Sequence, residues 1–236
     1  MENGEHPAAC GRFFQVIIAM RRFFCSRGIF LLAARRREVN VSAMPTFMTH
    51  AVTGIAASRA MFPARNSCAL AALSALSAVL PDIDILAFGF GIPYGHWLGH
   101  RGFSHSLAFA ACWALLASTP FTIGKSLPVK LGFGAYFFFI TALHGVLDAM
   151  TSGGLGVAFF SPFDTARYFL PWRPIRVSPI GIESFLTQRG LMVMASELKY
   201  VWLPSAVVML AGLAVRFATK RARSRGMMKF SLPLEK

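Results

Sequence analysis

Four aspartates and six histidines occur in this 236-residue chain, and their placement is uneven. Asp82, Asp84, Asp148 and Asp164 all lie between Ser67 and Asp164, together with His96, His100, His105 and His144. That stretch holds no glutamate, and its basic residues are only Arg101, Lys125 and Lys130. Ionisable groups kept in an otherwise apolar region cost several kcal/mol each unless partners compensate, so the set points to a site more than to greasy packing. His144 and Asp148 stand at i and i+4 and therefore share one helical face. In Pro81-Asp82-Ile83-Asp84 two carboxylates emerge close together, and without a cation they would repel. The run His100-Arg101-Gly102-Phe103-Ser104-His105-Ser106 adds two imidazoles, a guanidinium suited to an anionic substrate group, and hydroxyls that can cap a helix. A mixed His/Asp set favours a divalent transition metal, zinc first with manganese or iron as alternatives, over calcium or magnesium. Such a site can bring a bound water's pKa to about 7 and so generate a nucleophile. The expected ligands are His50, Asp82, Asp84, His100, His105, His144 and Asp148, around one or two metals. Asp84 is ligand or general base, and Arg101 serves the substrate. His96, in an aromatic loop, and Asp164, after Pro162, are weaker candidates with a turn or cap as their plainer role.

Helices must deliver these residues. Hydrophobic periodicity predicts a first helix over 47–62 and a second over 67–80, stopped by Pro81; both are short for a bilayer. A third over 103–123 and a fourth over 127–150 are long enough to span. A Gly/Pro/aromatic loop follows to about residue 182, and a last helix covers about 191–216, with Pro204 as a potential kink. His100 and His105, five residues apart, can serve one centre only if the third helix begins between them. If successive helices run antiparallel, His50, the Asp82/Asp84 pair, His100/His105 and His144/Asp148 all arrive at the same end of the bundle.

Composition fits this picture. The chain is 55% hydrophobic and only 14% charged, against roughly 25% charged residues in ordinary soluble domains. That excludes a disordered chain and indicates an all-α polytopic membrane bundle of about four or five hydrophobic helices, with the bilayer as its partner. The formal charge of +14 is carried largely by the two ends. Residues 1–43 hold seven arginines and three glutamates with apolar runs too short to span, and form a separate extension; Met44 is the expected start of translation, or the extension is a basic arm on anionic lipid. Residues 44–217 form the membrane domain, and 218–236 a basic tail. Without a binding module or interleaved aromatics, that tail is a juxtamembrane cluster, and no nucleic acid is expected. The four cysteines show no CxxC spacing and suggest neither a zinc knuckle nor a disulfide framework.

Five motifs in order carry a family resemblance: Met44-Pro-Thr-Phe-Met-Thr-His50-Ala-Val-Thr-Gly54, Leu80-Pro-Asp82-Ile-Asp84, His100-Arg-Gly-Phe-Ser-His105-Ser106, His144-Gly-Val-Leu-Asp148-Ala-Met-Thr151 and Ser161-Pro162-Phe163. Together they resemble the bacterial inner-membrane family described as LexA-regulated, membrane-bound predicted metal-dependent hydrolases. The resemblance covers about residues 44–182 and implies a multi-pass protein of the bacterial inner membrane with a metal-dependent hydrolase label; the substrate class expected for such a site in a membrane is a lipid or phosphoester.

Two other readings are open. His144 and Asp148 have the HxxxD spacing of metal-independent lipid phosphatases, although the Ser-Arg pair those enzymes carry upstream is missing. The cluster could also move or sense a metal ion without turnover. Charge asymmetry gives an orientation: from Met44 onward, 11 Lys and Arg fall on the side opposite the site and 6 on the site side, which places the site toward the periplasm. Cysteines introduced by Ser152→Cys and Ser224→Cys should therefore be labelled from opposite sides of the inner membrane; equal access from outside would refute this orientation.

Overall fold

Thr46 is extended and opens α1 (Phe47–Met61), whose final turn is closed by the Phe62 amide on the Ser58 carbonyl. In the computed structural model the described residues are 46–62, 68–177 and 187–230. The sequence expectations for residues 1–43, Met44, Arg65, the end of the loop near residue 182 and the last six residues fall outside them. Among the described residues five further α-helices follow: α2 (Cys68–Val79), α3 (Leu107–Thr122), α4 (Leu127–Ala149), α5 (Gln188–Glu197) and α6 (Leu203–Phe230). Among the described residues there is no β-strand, only two isolated bridges, Thr151 with Ile175 and Val157 with Tyr168. The chain is all-α.

The second α-helix ends at Val79, just before Pro81 as expected, but the helical rod does not end there. The chain continues from Val79 directly into a 3-10 helix, Leu80–Phe90, with Pro81 in its first turn. A proline there forfeits only an amide hydrogen that has no partner at a helix start, and the tighter winding avoids its clash with the preceding turn. The combined segment Cys68–Phe90, 23 residues, is long and apolar enough to cross a membrane, as are Leu127–Ala149 and Gln188–Ala222. The expectation of a short second element is thus corrected. The third element is corrected in the other direction: Phe103–His105 is a separate 3-10 turn, and α3 begins only at Leu107, where the Ser106 hydroxyl accepts from the Phe109 amide. Its 16 residues reach about 24 Å, short of a hydrocarbon core of about 30 Å. His100 and His105 consequently both precede the helix, and the angular conflict anticipated for them does not arise.

One apolar core joins α2, α3 and α4 through Leu70, Ala78, Ala114, Ala117, Phe133, Tyr136, Phe137 and Ile140. Within it the Tyr136 and Ser74 hydroxyls are 2.7 Å apart, and the Trp113 indole donates to the Ser77 hydroxyl. Large apolar side chains also face outward. Leu115 is 73% and Phe139 67% exposed, as expected where acyl chains rather than water cover the surface.

The last helical rod sets the position of α1. Ten residues into it a π-turn, Leu198–Trp202, separates α5 from α6 and absorbs Pro204 at the start of the next segment. Glu197, fully buried at this turn, accepts from the Thr46 amide and from the Thr46 and Thr49 hydroxyls at 2.6–2.7 Å, while the Trp202 indole donates to the Thr49 hydroxyl. The carboxylate thereby sits at the amino end of α1, where helix dipoles favour negative charge. His50 is the next residue. Along the rest of α1, small residues permit close approach: a Cβ on Gly54 would strike the Ser74 carbonyl, its oxygen first and its carbon at 2.8 Å. Gly54→Ala should therefore force α1 off α2 and cost about 1–3 kcal/mol, read as a lower midpoint of unfolding in detergent; an unchanged midpoint would contradict this packing.

Candidate metal centre

Four chain segments build the site. His50 comes from the first turn of α1, Asp82 and Asp84 from the 3-10 helix, His100, Arg101 and His105 from the loop and short turn before α3, and His144 and Asp148 from the last two turns of α4. All are buried or nearly so, with Arg101, Asp148 and His50 at 0% exposure. His96 is exposed and accepts from the Leu98 amide; Asp164 accepts from the Ala166 amide and the Tyr168 hydroxyl. Neither joins the cluster.

The residues divide into two overlapping groups. Asp82, His105, His144 and Asp148 offer one ligand atom each within 4.8 Å of one another, a set that could hold a metal ion; Asp84, His100 and His105 form the second group. In the first, His105 Nε2 is 3.6 Å from Asp82 Oδ1 and 3.3 Å from Asp148 Oδ2, and His144 Nε2 is 3.3 Å from Asp82 Oδ1. The two Nε2 atoms are only 2.9 Å apart. His50 stacks on His144 with ring centroids 3.8 Å apart and places its Nε2 3.5 Å from Asp148 Oδ1.

Tautomers decide what this convergence means. His144 Nδ1 is 2.7 Å from the Ala78 carbonyl, which can only accept, so Nδ1 carries the proton and Nε2 a lone pair. His105 Nδ1 lies 3.1 Å from Asp84 Oδ2 and 2.9 Å from the Ser104 hydroxyl, whose own proton is given to Asp84. Nδ1 of His105 therefore also donates, and its Nε2 points a second lone pair at the first. Both Asp82 oxygens and both His50 ring nitrogens are buried without a hydrogen bond. Two lone pairs and two carboxylates facing one another require a cation or an added proton. The donor set, two imidazoles and two carboxylates, fits a divalent transition metal.

Asp84 has a different environment from Asp82. Its Oδ1 is 2.7 Å from His100 Nδ1, and its Oδ2 accepts from the Arg101 amide at 3.0 Å and from the Ser104 hydroxyl. This is a carboxylate that orients imidazoles, as partners of metal-ligating histidines commonly do. Arg101 is held in the left-handed region, φ 61°, and its Nε lies 2.8 Å from Asp148 Oδ2. Arg167, from the loop after α4, donates to the carbonyls of Tyr94, His96 and His100 and straps the preceding loop in place. Burial by itself would lower the His105 imidazole pKa, but the surrounding Asp84, Asp148 and Asp82 carboxylates outweigh it and raise the value well above the usual one. Burial likewise disfavours the Arg101 charge, and Asp148 more than restores it. Tyr94, Arg167 and Glu197 were missed in the sequence; nothing about their spacing marks them.

The profile of the YdjM inner membrane protein family matches residues 44–222. This chain belongs to that family. It is also similar to the inner membrane protein YbcI of Escherichia coli (strain K12), 38% identical over 173 residues that cover 70% of this chain and 95% of that one. No solved structure matches it. The protein is thus an inner-membrane protein whose spans carry a buried His/Asp cluster able to hold a metal ion.

Two outcomes follow for metal binding. Asp82 makes no hydrogen bond, so Asp82→Ala should lose the metal while keeping the fold, whereas Asp148→Ala should lose both metal and about 3–5 kcal/mol by stranding the Arg101 charge; elemental analysis and unfolding midpoints separate the two, and full metal retention in both would refute the ligand set. The pH dependence has a definite sign. A raised His105 pKa stabilises the metal-free fold at low pH, and that contribution is lost as pH rises through the raised value. A metal must displace the same proton, so the stabilisation given by added metal should grow with pH; one that shrinks would contradict the assignment.

Proposed function

We propose that this protein is a membrane-bound metal-dependent hydrolase in which Asp82, His105, His144 and Asp148 hold one divalent transition metal, zinc by donor preference. The observation that carries the reading is the pair of opposed Nε2 lone pairs of His105 and His144, closed on by two carboxylates. A divalent cation there supplies acidification of water and polarisation of a substrate oxygen. His50, stacked on His144, limits how that ring can turn and remains in reach of Asp148.

In this proposal Asp84 orients rather than ligates. It fixes Nδ1–H of both His100 and His105, leaving His105 Nε2 for the metal and His100 Nε2, which is buried and makes no hydrogen bond, as the acceptor of a proton from water. Arg101 faces the anionic part of the substrate from the Asp148 side. The inner-membrane family membership, the outward apolar surface and the cluster at one end of the bundle support a substrate reached from the membrane interface.

The test is hydrolysis of phosphoester and carboxylic ester substrates by detergent-purified protein, measured together with metal content. Turnover should be abolished by a chelator and restored by zinc, manganese or iron, and Asp84→Asn should reduce it about 10- to 100-fold. Bound metal without turnover on any substrate would favour transport or sensing; turnover without metal would favour a phosphohistidine mechanism at His144. Either result removes the present reading.

A further inference from the structure

A guanidinium has five N–H groups, and in a buried arginine each needs an acceptor. Arg101 is fully buried. Its Nε faces Asp148, and its Nη1 donates to the Thr151 hydroxyl and the Gly153 carbonyl, both at 3.1 Å. Its Nη2 is buried with no hydrogen-bond partner. The hydroxyl of Tyr94 is in the same state, buried and without a partner. The two side chains meet at Gly154, where a Cβ would lie 2.7 Å from Arg101 Nη1 and 2.9 Å from the Tyr94 oxygen, and where φ is 86°, a conformation other residues rarely adopt. Arg101 is itself held at positive φ, its amide on Asp84 and its carbonyl on the Ala158 amide, so the side chain has little freedom to find another acceptor.

We propose that Arg101 Nη2 and the Tyr94 hydroxyl form a subsite for a phosphoryl group of the substrate, beside the His/Asp cluster. The inference rests on the hydrolase reading for what happens next, but the subsite is defined by its own donors. Fork-like recognition of a planar carboxylate needs two guanidinium nitrogens on one edge, and of the two that flank Nη2, Nη1 is occupied by Thr151 and Gly153 and Nε faces Asp148. One nitrogen with two free N–H groups and one hydroxyl instead suit the divergent oxygens of a tetrahedral group, with a further oxygen left to face the cluster. Charge agrees. The carboxylates of Asp82, Asp84 and Asp148 are nearly balanced by the guanidiniums of Arg101 and Arg167, so a divalent cation leaves the site with a positive excess that favours an anion. The phosphoryl group can belong to a lipid headgroup or to a soluble phosphoester; the donors recognise what the two share.

The experiment is calorimetric titration of inorganic phosphate into the detergent-purified, zinc-loaded full chain. Saturable binding at one site per chain is expected, weakened about 10-fold or more in Tyr94→Phe, which keeps the ring and removes only the hydroxyl. Arg101→Lys, which keeps a charge toward Asp148 but has no Nη2, should weaken binding at least as much. Metal content should be unchanged in Tyr94→Phe, because Tyr94 makes no hydrogen bond to the cluster. Failure of the zinc-loaded protein to bind phosphate, or equal binding by wild type and both variants, would overturn the subsite. Phosphate binding that depends on Tyr94 in a protein without hydrolytic turnover would keep the subsite and remove the hydrolase reading. Competition names the source: displacement by glycerol 3-phosphate indicates a soluble phosphoester, displacement by phosphatidic acid in mixed micelles indicates a headgroup, and displacement by neither overturns the proposal.

Discussion

The Arg101–Asp148 ion pair, 2.8 Å long with both residues at 0% exposure, is the interaction on which the site depends. Removing two charges from water costs several kcal/mol per ion, and the pair is tolerable only because each member has further partners. Arg101 is tied to Thr151 and Gly153 by its side chain and to Asp84 and Ala158 by its backbone, so a single residue joins the end of α4, the 3-10 helix after α2 and the loop beyond α4. Asp148, for its part, faces His50, His105 and His144. The four segments that meet at the cluster are thus held by the charge they have to neutralise, and the left-handed backbone of Arg101 is a local cost that this network sustains.

Glu197 solves a similar problem with hydrogen bonds from neutral groups. Its buried carboxylate is satisfied by one amide and two hydroxyls at the amino end of α1, and those bonds reach across from the π-turn of the last rod. A shift of α1 along its axis would strand that carboxylate and move His50 away from His144 and Asp148. Position is therefore set at the top of α1 by hydrogen bonds and along its length by backbone contact at Gly54. In a bilayer, where lipid competes equally for apolar side chains, polar anchoring and close approach of small residues are the available means of fixing a helix.

Much of the site was legible because ionisable residues in an apolar segment have few uses. His144 and Asp148 share a face by helical periodicity, and antiparallel connection brings His50, Asp82 and His100 to the same end; the folded chain places them there. Sequence and structure differ where local rules compete. Pro81 breaks an α-helix but is at home at the start of a 3-10 helix, so a span was read as a short element. Ser106 is a good cap, so the helix starts beyond it and Phe103 stays in a separate turn although its apolar character fits the helix. Tyr94 and Arg167 lie in two separate loops with no periodicity, where no spacing rule connects them to the residues they meet.

The sequence by itself determined the class of protein and the inventory of its chemistry: helix-length apolar runs dictate a membrane bundle, and Asp and His confined to helix ends dictate a polar cluster at one side. Only the tertiary structure decided the surroundings of each residue. Asp82 and Asp84 are indistinguishable as neighbours in a chain, yet one is surrounded by donors and orients imidazoles while the other is left with open lone pairs. The tautomers of His105 and His144 are likewise imposed by Asp84 and by the Ala78 carbonyl, and the free Nη2 of Arg101 by the occupation of Nη1. Periodicity specifies which face a side chain occupies, whereas the direction of a lone pair or an N–H depends on atoms that approach through space from distant segments.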